Sequence, residues 1–456
     1  MKKSLIIVVT IVCAACLVFT GVSCKAAAVE TTAAAVETTA AATTASAETT
    51  AAAETTAAAA KTTPITIGHG TFWTGPYASV GPRFAAAADF TLELVNKMPP
   101  LGEKVRIIHS DEGTIGEQQW IMRDVDSNKV DIILNVGYEY LTYRDWLLKY
   151  IKDNNRPLLP SVHGGSIGPQ YGGTAEEPIF RGSPQDVDQG IAAVLRALDL
   201  GAKTCVIISG LFDSAQQQKD VAVAAAPIAG LEVLDVIDVE LEKTYRAEIT
   251  AAQALKPDAL IIFTDASGGG LMVKTVAELG MSTIIVGGTD WQFADFVNTA
   301  TMEAIQKQKA VDIVGFTYKE GPAWDYYSKL WNGTPQYKAF NDASDSYTMQ
   351  YYDVITCTML AIKKSGSLDV ANWAAAMHEV ANAPGKEVYS YEEGFKAIEA
   401  GEDINYIGPT GTFDYSPTGV VNGTYGVSAW KDAETLGTVA VIDGSRIVEI
   451  SAKIPQ

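Results

Sequence analysis

Residues 259–290, ALIIFTDASGGGLMVKTVAELGMSTIIVGGTD, decide the fold. ALIIFT is an apolar run too short for a helix, and it is closed by the turn-forming DASGGG. GLMVKTVAELG then carries apolar residues at helical spacing, and STIIVGG is a second apolar run. Strand, helix and strand at these lengths make a βαβ unit. Neither strand alternates apolar with polar residues, so both belong to a parallel sheet covered on its two faces.

Working outward, the same alternation continues. Upstream lie helix QGIAAVLRALDL, strand TCVIISG, helix AQQQKDVAVAAAPIAG, strand LEVLDVIDVE and helix RAEITAAQALK. Before RGSPQDVD an earlier series is complete in itself, with strands ITIGHG, KVRIIHS, VDIILNVG and RPLLPSV separated by RFAAAADFTLELVNK, EQQWIMRDVDS and YRDWLLKYIKDN. Two consecutive βα series imply two α/β lobes. Beyond residue 313 the chain is mostly helical and then turn-rich, with no third series. Those pieces complete the two lobes, so the chain crosses between them more than once.

Right-handed crossovers gather the βα loops at one edge of each sheet, where ligands bind. The loops are TFWTGPYASVG, SDEGTIG, NVGYEYLT, SVHGGSIG, SGLFDSA, FTDASGGG and GGTDWQF. Several end where a helix begins and so present unpaired backbone N–H groups.

The 456-residue chain carries a formal charge of -20 and is 47% hydrophobic. Such a field repels nucleic acid, and no block of Lys and Arg opposes it. At the amino terminus, Lys2 and Lys3 precede LIIVVTIVCAACLVF and then small residues, the pattern of a secretory signal over residues 1–24. Its run of about 15 apolar residues falls short of the roughly 20 that a membrane span needs. Residues 25–63 are almost wholly Ala, Thr and Glu, with AAAVETT repeated at 26–39. Each repeat has one apolar side chain larger than Ala, too few for a coiled-coil seam, so the segment reads as a solvated tether. Cys205 and Cys357 fall in apolar runs and read as buried thiols.

GVSC at residues 21–24 resembles a bacterial lipobox, which implies lipidation of Cys24; Gly21 stands where a larger aliphatic residue is usual. The body resembles the type I periplasmic binding proteins, in the branch of the leucine/isoleucine/valine-binding protein. The carrying segments are TGPYASVG (74–81), Asp111 after the second strand, PSVHGG (160–165), FRGSPQDVDQG (180–190), KPDALIIFTD (256–265) and INYIGPTGTFDYSPTG (404–419). The resemblance implies two Rossmann-like lobes, parallel sheets flanked by helices, joined by a three-segment hinge. Lobe one is expected at 64–182 plus 314–406 and lobe two at 183–313 plus 407–456.

By the same resemblance the first loop offers Trp73, Tyr77 and Val80 to a ligand, the loops after the third and fourth strands offer Tyr138, Tyr140, Ser161 and His163, and lobe two offers Asp213, Asp265, Asp290 and Trp291. The chain departs from the family where Tyr138 and Tyr140 replace small hydroxyl residues, where His163 replaces Ser or Thr, and where Ser214-Ala215 replaces the usual Tyr-Gly. These departures put an ordinary branched-chain amino acid in doubt; His163 and Tyr140 facing Asp265 and Asp290 point to an amino-acid-like or amide solute, and the two carboxylates, if both face the cleft, favour a cationic or amine-bearing one. Asp265 and Asp290 have a plainer reading as helix caps.

Competing motifs are weaker. GGSIG (164–168) fits the G-x-S-x-G pattern around Ser166, but Pro169 and a loop follow where a hydrolase has a helix. His69, His109, His163 and His378 lack zinc spacing, so neither a metal nor a cofactor is expected. His69 and His109 read as hydrogen-bonded core residues. The expected function is thus that of a non-enzymatic, extracytoplasmic solute-binding lipoprotein, at the periplasm or cell surface, that serves an ABC-transporter permease as a monomer. A ligand-sensing receptor for a membrane signalling partner is the alternative, and a secreted hydrolase using Ser166 is the third reading.

Overall fold

The computed structural model describes residues 63–454 except 76, 138, 242–243, 316–320 and 422–424. The secretory segment, Cys24, the Ala/Thr/Glu tract, Tyr138 and the side chain of Ser166 lie outside what is described.

The first series runs β1 (Thr63–Thr71), α1 (Gly81–Val95), β2 (Gly102–Asp111), α2 (Glu117–Asp126), β3 (Ile132–Leu134), α3 (Tyr140–Asn154), β4 (Leu159–Ser161) and β5 (Ile179–Arg181). β1 lies between β2 and β3, all parallel. A parallel bridge from Ile132 to Leu158 extends the sheet to the pair β4 and β5.

The second series runs α4 (Asp186–Asp199), β6 (Thr204–Gly210), α5 (Asp213–Ala229), β7 (Glu232–Val239), α6 (Arg246–Leu255), β8 (Ala259–Phe263), α7 (Ala266–Glu278), β9 (Ile284–Gly287), α8 (Ala294–Ala300), α9 (Met302–Gln306) and β10 (Ala310–Gly315). After it come α10 (Pro322–Asn332), α11 (Pro335–Lys338), α12 (Ser346–Ser365), α13 (Val370–Ala381), β11 (Lys386–Val388), α14 (Tyr391–Glu399), β12 (Ile404–Gly408) and β13 (Gly411–Thr412). The chain ends with β14 (Tyr425–Trp430), β15 (Leu436–Ile442) and α15 (Gly444–Ser451). The second sheet has the order β15-β14-β10-β9-β8-β6-β7, parallel from β7 to β10 and antiparallel beyond. Residues 259–290 supply its centre, with Ala259 paired to Ile284 and Ile261 to Val286.

The apolar strands of that sheet feed two separate cores. Cys205 and Ile207 pack on one face, Val206 and Ile208 on the other, as the two-residue period of a strand requires. The first lobe has its own core, built from β1, β3 and β4 with α12 and α13. Phe413 and Tyr415 still pack in that core, Tyr415 with its ring 5.1 Å from that of Phe180, so the first lobe's packing extends past residue 406. Cys205 and Cys357 are buried free thiols. Among the described residues no helix is long and apolar enough to cross a membrane.

The sequence reading passes over β5 and β10. β5 is only three residues long, and β10 carries Asp312 in its middle. That carboxylate is buried but paired with Arg196 at 2.6 Å, so a charge occupies a strand that faces helices.

The chain passes between the sheets three times, after β5, after β10 and after β13. Two of these passages are tied together at Arg181. Its N–H donates to Gly419 O at 2.7 Å, and its carbonyl accepts from Val421 N at 3.2 Å. The fully buried guanidinium also donates to the carbonyls of Ile167, Gly168, Tyr171 and Thr418.

Candidate functional site

A cleft of about 380 Å³ lies at the carboxyl ends of the parallel strands, where both lobes meet. The first lobe lines it from the loop after β1 (Phe72, Tyr77, Val80), from α1 (Phe84), from the loop after β4 (Val162, His163) and from the first turn of α12 (Tyr347). The second lobe lines it from the first turn of α4 (Asp186, Gln189), from the first two turns of α5 (Asp213, Gln218), and from the loops after β8 (Thr264) and β9 (Thr289, Asp290, Phe293).

On the first wall, Phe84 stacks obliquely against His163 at 4.9 Å and Tyr347 at 5.3 Å. His163 is held from behind. Its Nε2 lies 3.2 Å from the Tyr351 hydroxyl, which is also 2.9 Å from His69 Nε2 and receives the Asn135 amide at 2.5 Å. His69 Nδ1 meets His109 Nδ1 at 2.8 Å, and His109 Nε2 meets Asp89 at 3.1 Å.

With His109 as a neutral tautomer, one set of proton positions satisfies every contact in this chain. An ionised carboxylate only accepts, so His109 donates from Nε2 and accepts at Nδ1. His69 then donates from Nδ1 and accepts the Tyr351 proton at Nε2. The Tyr351 oxygen accepts from Asn135, which leaves His163 to donate from Nε2. His163 Nδ1, buried on the cleft wall and without a hydrogen-bond partner among the described residues, is in that arrangement a lone-pair acceptor. Burial pushes the His163 imidazole down to about 3 and, with His109 and His163 nearby, holds His69 well below the usual histidine range, so both rings are neutral. Asn135 takes a left-handed φ of 78°, which Asn tolerates, and in doing so also receives Val162 N–H on its Oδ1 at 3.1 Å.

The second wall is polar and acidic. Thr289 donates to Gln189 at 2.7 Å, and the buried hydroxyls of Ser183 and Thr264 have no partner among the described residues. Burial, opposed by a Gln218 hydrogen bond and aided by Asp290, raises Asp186 to about 7. Burial and the neighbouring Asp265 raise Asp290 to about 6, against a bond from the Tyr347 hydroxyl at 3.4 Å. That bond and the Phe293–Tyr347 stack at 5.7 Å join the two walls. Across the cleft, burial and the carboxylates of Asp290 and Asp265 raise the half-exposed Tyr77 to about 12.

Of the residues singled out in the sequence, Tyr77, Val80, His163, Asp213 and Asp290 stand on the cleft wall. Tyr140 does not. It is buried in the first core and donates to Glu177 at 2.6 Å, because it opens α3 and faces inward. Ser161 is likewise buried and donates to Val136 O at 2.7 Å. Asp265 caps α7 by accepting from Gly268 N at 3.2 Å, and only its charge reaches the cleft. Trp291 is fully buried behind the wall, stacked on Phe296 at 4.6 Å. A Cβ at Gly269 or Gly287 would stand 2.1 or 2.2 Å from its ring, so GGG at 268–270 relieves crowding around a core tryptophan. Trp73 is 43% exposed and outside the cleft lining.

Phe84, Asp186, Phe293 and Tyr347 were missed. Asp186 lay within a quoted motif, and Phe293 follows the tryptophan that was chosen in its place. Phe84 and Tyr347 sit in helices buried on most faces, α12 with buried Gln350 and Asp353 among its apolar residues, so apolar spacing gives no signal.

The family model described as periplasmic binding protein matches residues 64–400. Among solved structures, a leucine binding protein LivK from Thermotoga maritima is similar at 17% identity and TM-score 0.66, over 83% of this chain and 99% of that one. The branched-chain amino acid transporter substrate binding protein LivJ from Streptococcus pneumoniae, in complex with isoleucine, is similar at 17% identity and TM-score 0.63, over 83% and 99%. A solute binding protein of an ABC transporter from Rhodopseudomonas palustris, in complex with 3,4-dihydroxy benzoic acid, gives 18% identity and TM-score 0.63, over 84% and 98%. No curated protein matches the chain. With two α/β lobes, three crossings and a shared cleft, the chain belongs to the periplasmic binding protein family, in its type I form.

Proposed function

We propose that this protein is the extracytoplasmic, lipid-anchored receptor of an ABC importer, which captures a small amino-acid-like or amide solute by closing its lobes and delivers it to a membrane permease. One observation carries the reading: a single cleft lined from both lobes, with unpartnered buried polar atoms on each wall. A solute that touches both walls favours the closed arrangement in proportion to its extra contacts there. In this reading Cys24 carries the acyl chains that hold the body at the membrane.

The test is a solute screen on the purified body. A true ligand at a hundredfold excess over its Kd stabilises the fold by about 2.7 kcal/mol, and scattering contracts as the lobes close. A screen covering amino acids, amides, amines and aromatic acids that moves neither melting nor scattering overturns the proposal.

A further inference from the structure

The second wall carries three carboxylates, Asp186, Asp213 and Asp290, and among the described residues none of them is in an ion pair. Among the described residues, no Lys or Arg lines the cleft. Arg83, whose guanidinium lies 5.7 Å from the Phe293 ring centroid, is outside the lining, and Arg181 is committed to backbone carbonyls. The N-termini of α4 and α5 would suit an anion, but their first turns already hold Asp186, Asp188 and Asp213. On the opposite wall His163 offers a lone pair, and Phe72, Tyr77, Phe84 and Tyr347 offer ring faces. Carboxylates, a lone-pair acceptor and π faces converge on the cleft beside the hydroxyls of Ser183 and Thr264, with no cation among the described residues to meet an anionic group. This is chemistry for a protonated amine, which gains from carboxylates, from a ring face and from an acceptor at once. A ligand carboxylate would instead meet three acidic groups, repelled by each one that is ionised.

Resting on the solute-capture reading above but departing from its amino-acid-like or amide ligand, we propose that the cleft selects a protonated organic amine with an apolar body and no ionised carboxylate, held by Asp186 and Asp290 on one wall and by His163 Nδ1 and the aromatic faces on the other. The ligand differs in charge from the isoleucine and the dihydroxybenzoic acid in the two similar structures.

Binding of phenethylamine, tyramine, tryptamine and agmatine, of phenylacetamide, of phenylalanine and isoleucine, and of benzoate is measured calorimetrically on the full chain. An amine is expected to bind most tightly, and Asp186→Asn or Asp290→Asn to weaken it about tenfold or more, with Asp290→Glu restoring part of the loss. The native chain is expected to lose affinity from about pH 8 to about pH 5 as these carboxylates take up protons. Because the pH arm uses the native chain, it stands even if an Asn variant fails to fold. Tighter binding of phenylalanine, isoleucine, benzoate or the amide, or affinity that rises toward acid, overturns the inference and leaves the solute receptor intact. Binding of no class overturns both.

Discussion

The two walls of the cleft do different work with different residues. The first-lobe wall is aromatic and uncharged, and its one basic group, His163, is held neutral by burial and oriented through Tyr351 and His69. The second-lobe wall is acidic, with carboxylates raised by burial and by one another. The contrast assigns shape and stacking to one lobe and charge to the other. A ligand must then bridge them to collect both, which is the condition for closure.

The largest expected effect tests where the second wall ends. Trp291→Ala removes a fully buried ring and should destabilise the fold by about 3–5 kcal/mol in urea unfolding. A variant that keeps its stability and loses only binding would put Trp291 on the wall and break the comparison.

A smaller effect isolates charge. Asp186 and Asp290 have folded values above that of a free carboxylate, so the native state holds protons there that the unfolded chain has released. Their contribution to stability is complete below about pH 4 and is lost as pH rises through about 6 to 7. Asp290→Asn should therefore raise the unliganded protein's stability at about pH 8 by roughly 1–2 kcal/mol while it weakens binding. The same substitution lowering unliganded stability would give Asp290 a structural role.

The smallest effect concerns the residue the sequence misplaced on the first wall. Tyr140→Phe removes the hydrogen bond to Glu177 and should destabilise by about 1 kcal/mol with binding unchanged. Glu177 remains paired with Arg144 at 2.7 Å, which limits the loss.

The fold was legible because unbroken apolar strands such as ALIIFT and STIIVGG have few other places to go than a covered parallel sheet. β10 was hidden because Asp312 breaks that signal, and its pairing with Arg196 comes from a distant helix. In the site, Asp213 and Asp290 were offered by the family resemblance, which places them beside the carboxyl ends of strands, and the cleft lies there. Position beside such an end does not say which way a side chain turns. Asp290 faces the cleft while Trp291 turns behind it, into space left by Gly269 and Gly287, a contact no local pattern encodes. Tyr347 enters from α12, more than fifty residues past the loop whose Asp290 it meets, and His163 acquires its acceptor character through Asn135, Tyr351, His69 and His109, which converge only in three dimensions.

The most direct measurement is a structure of the protein with its tightest-binding solute. The account places that solute between the lobes, its nitrogen within hydrogen-bond reach of Asp290 or Asp186 and its apolar body against Phe84 and Tyr347. A solute bound outside the cleft, or one seated there touching a single lobe, would contradict it.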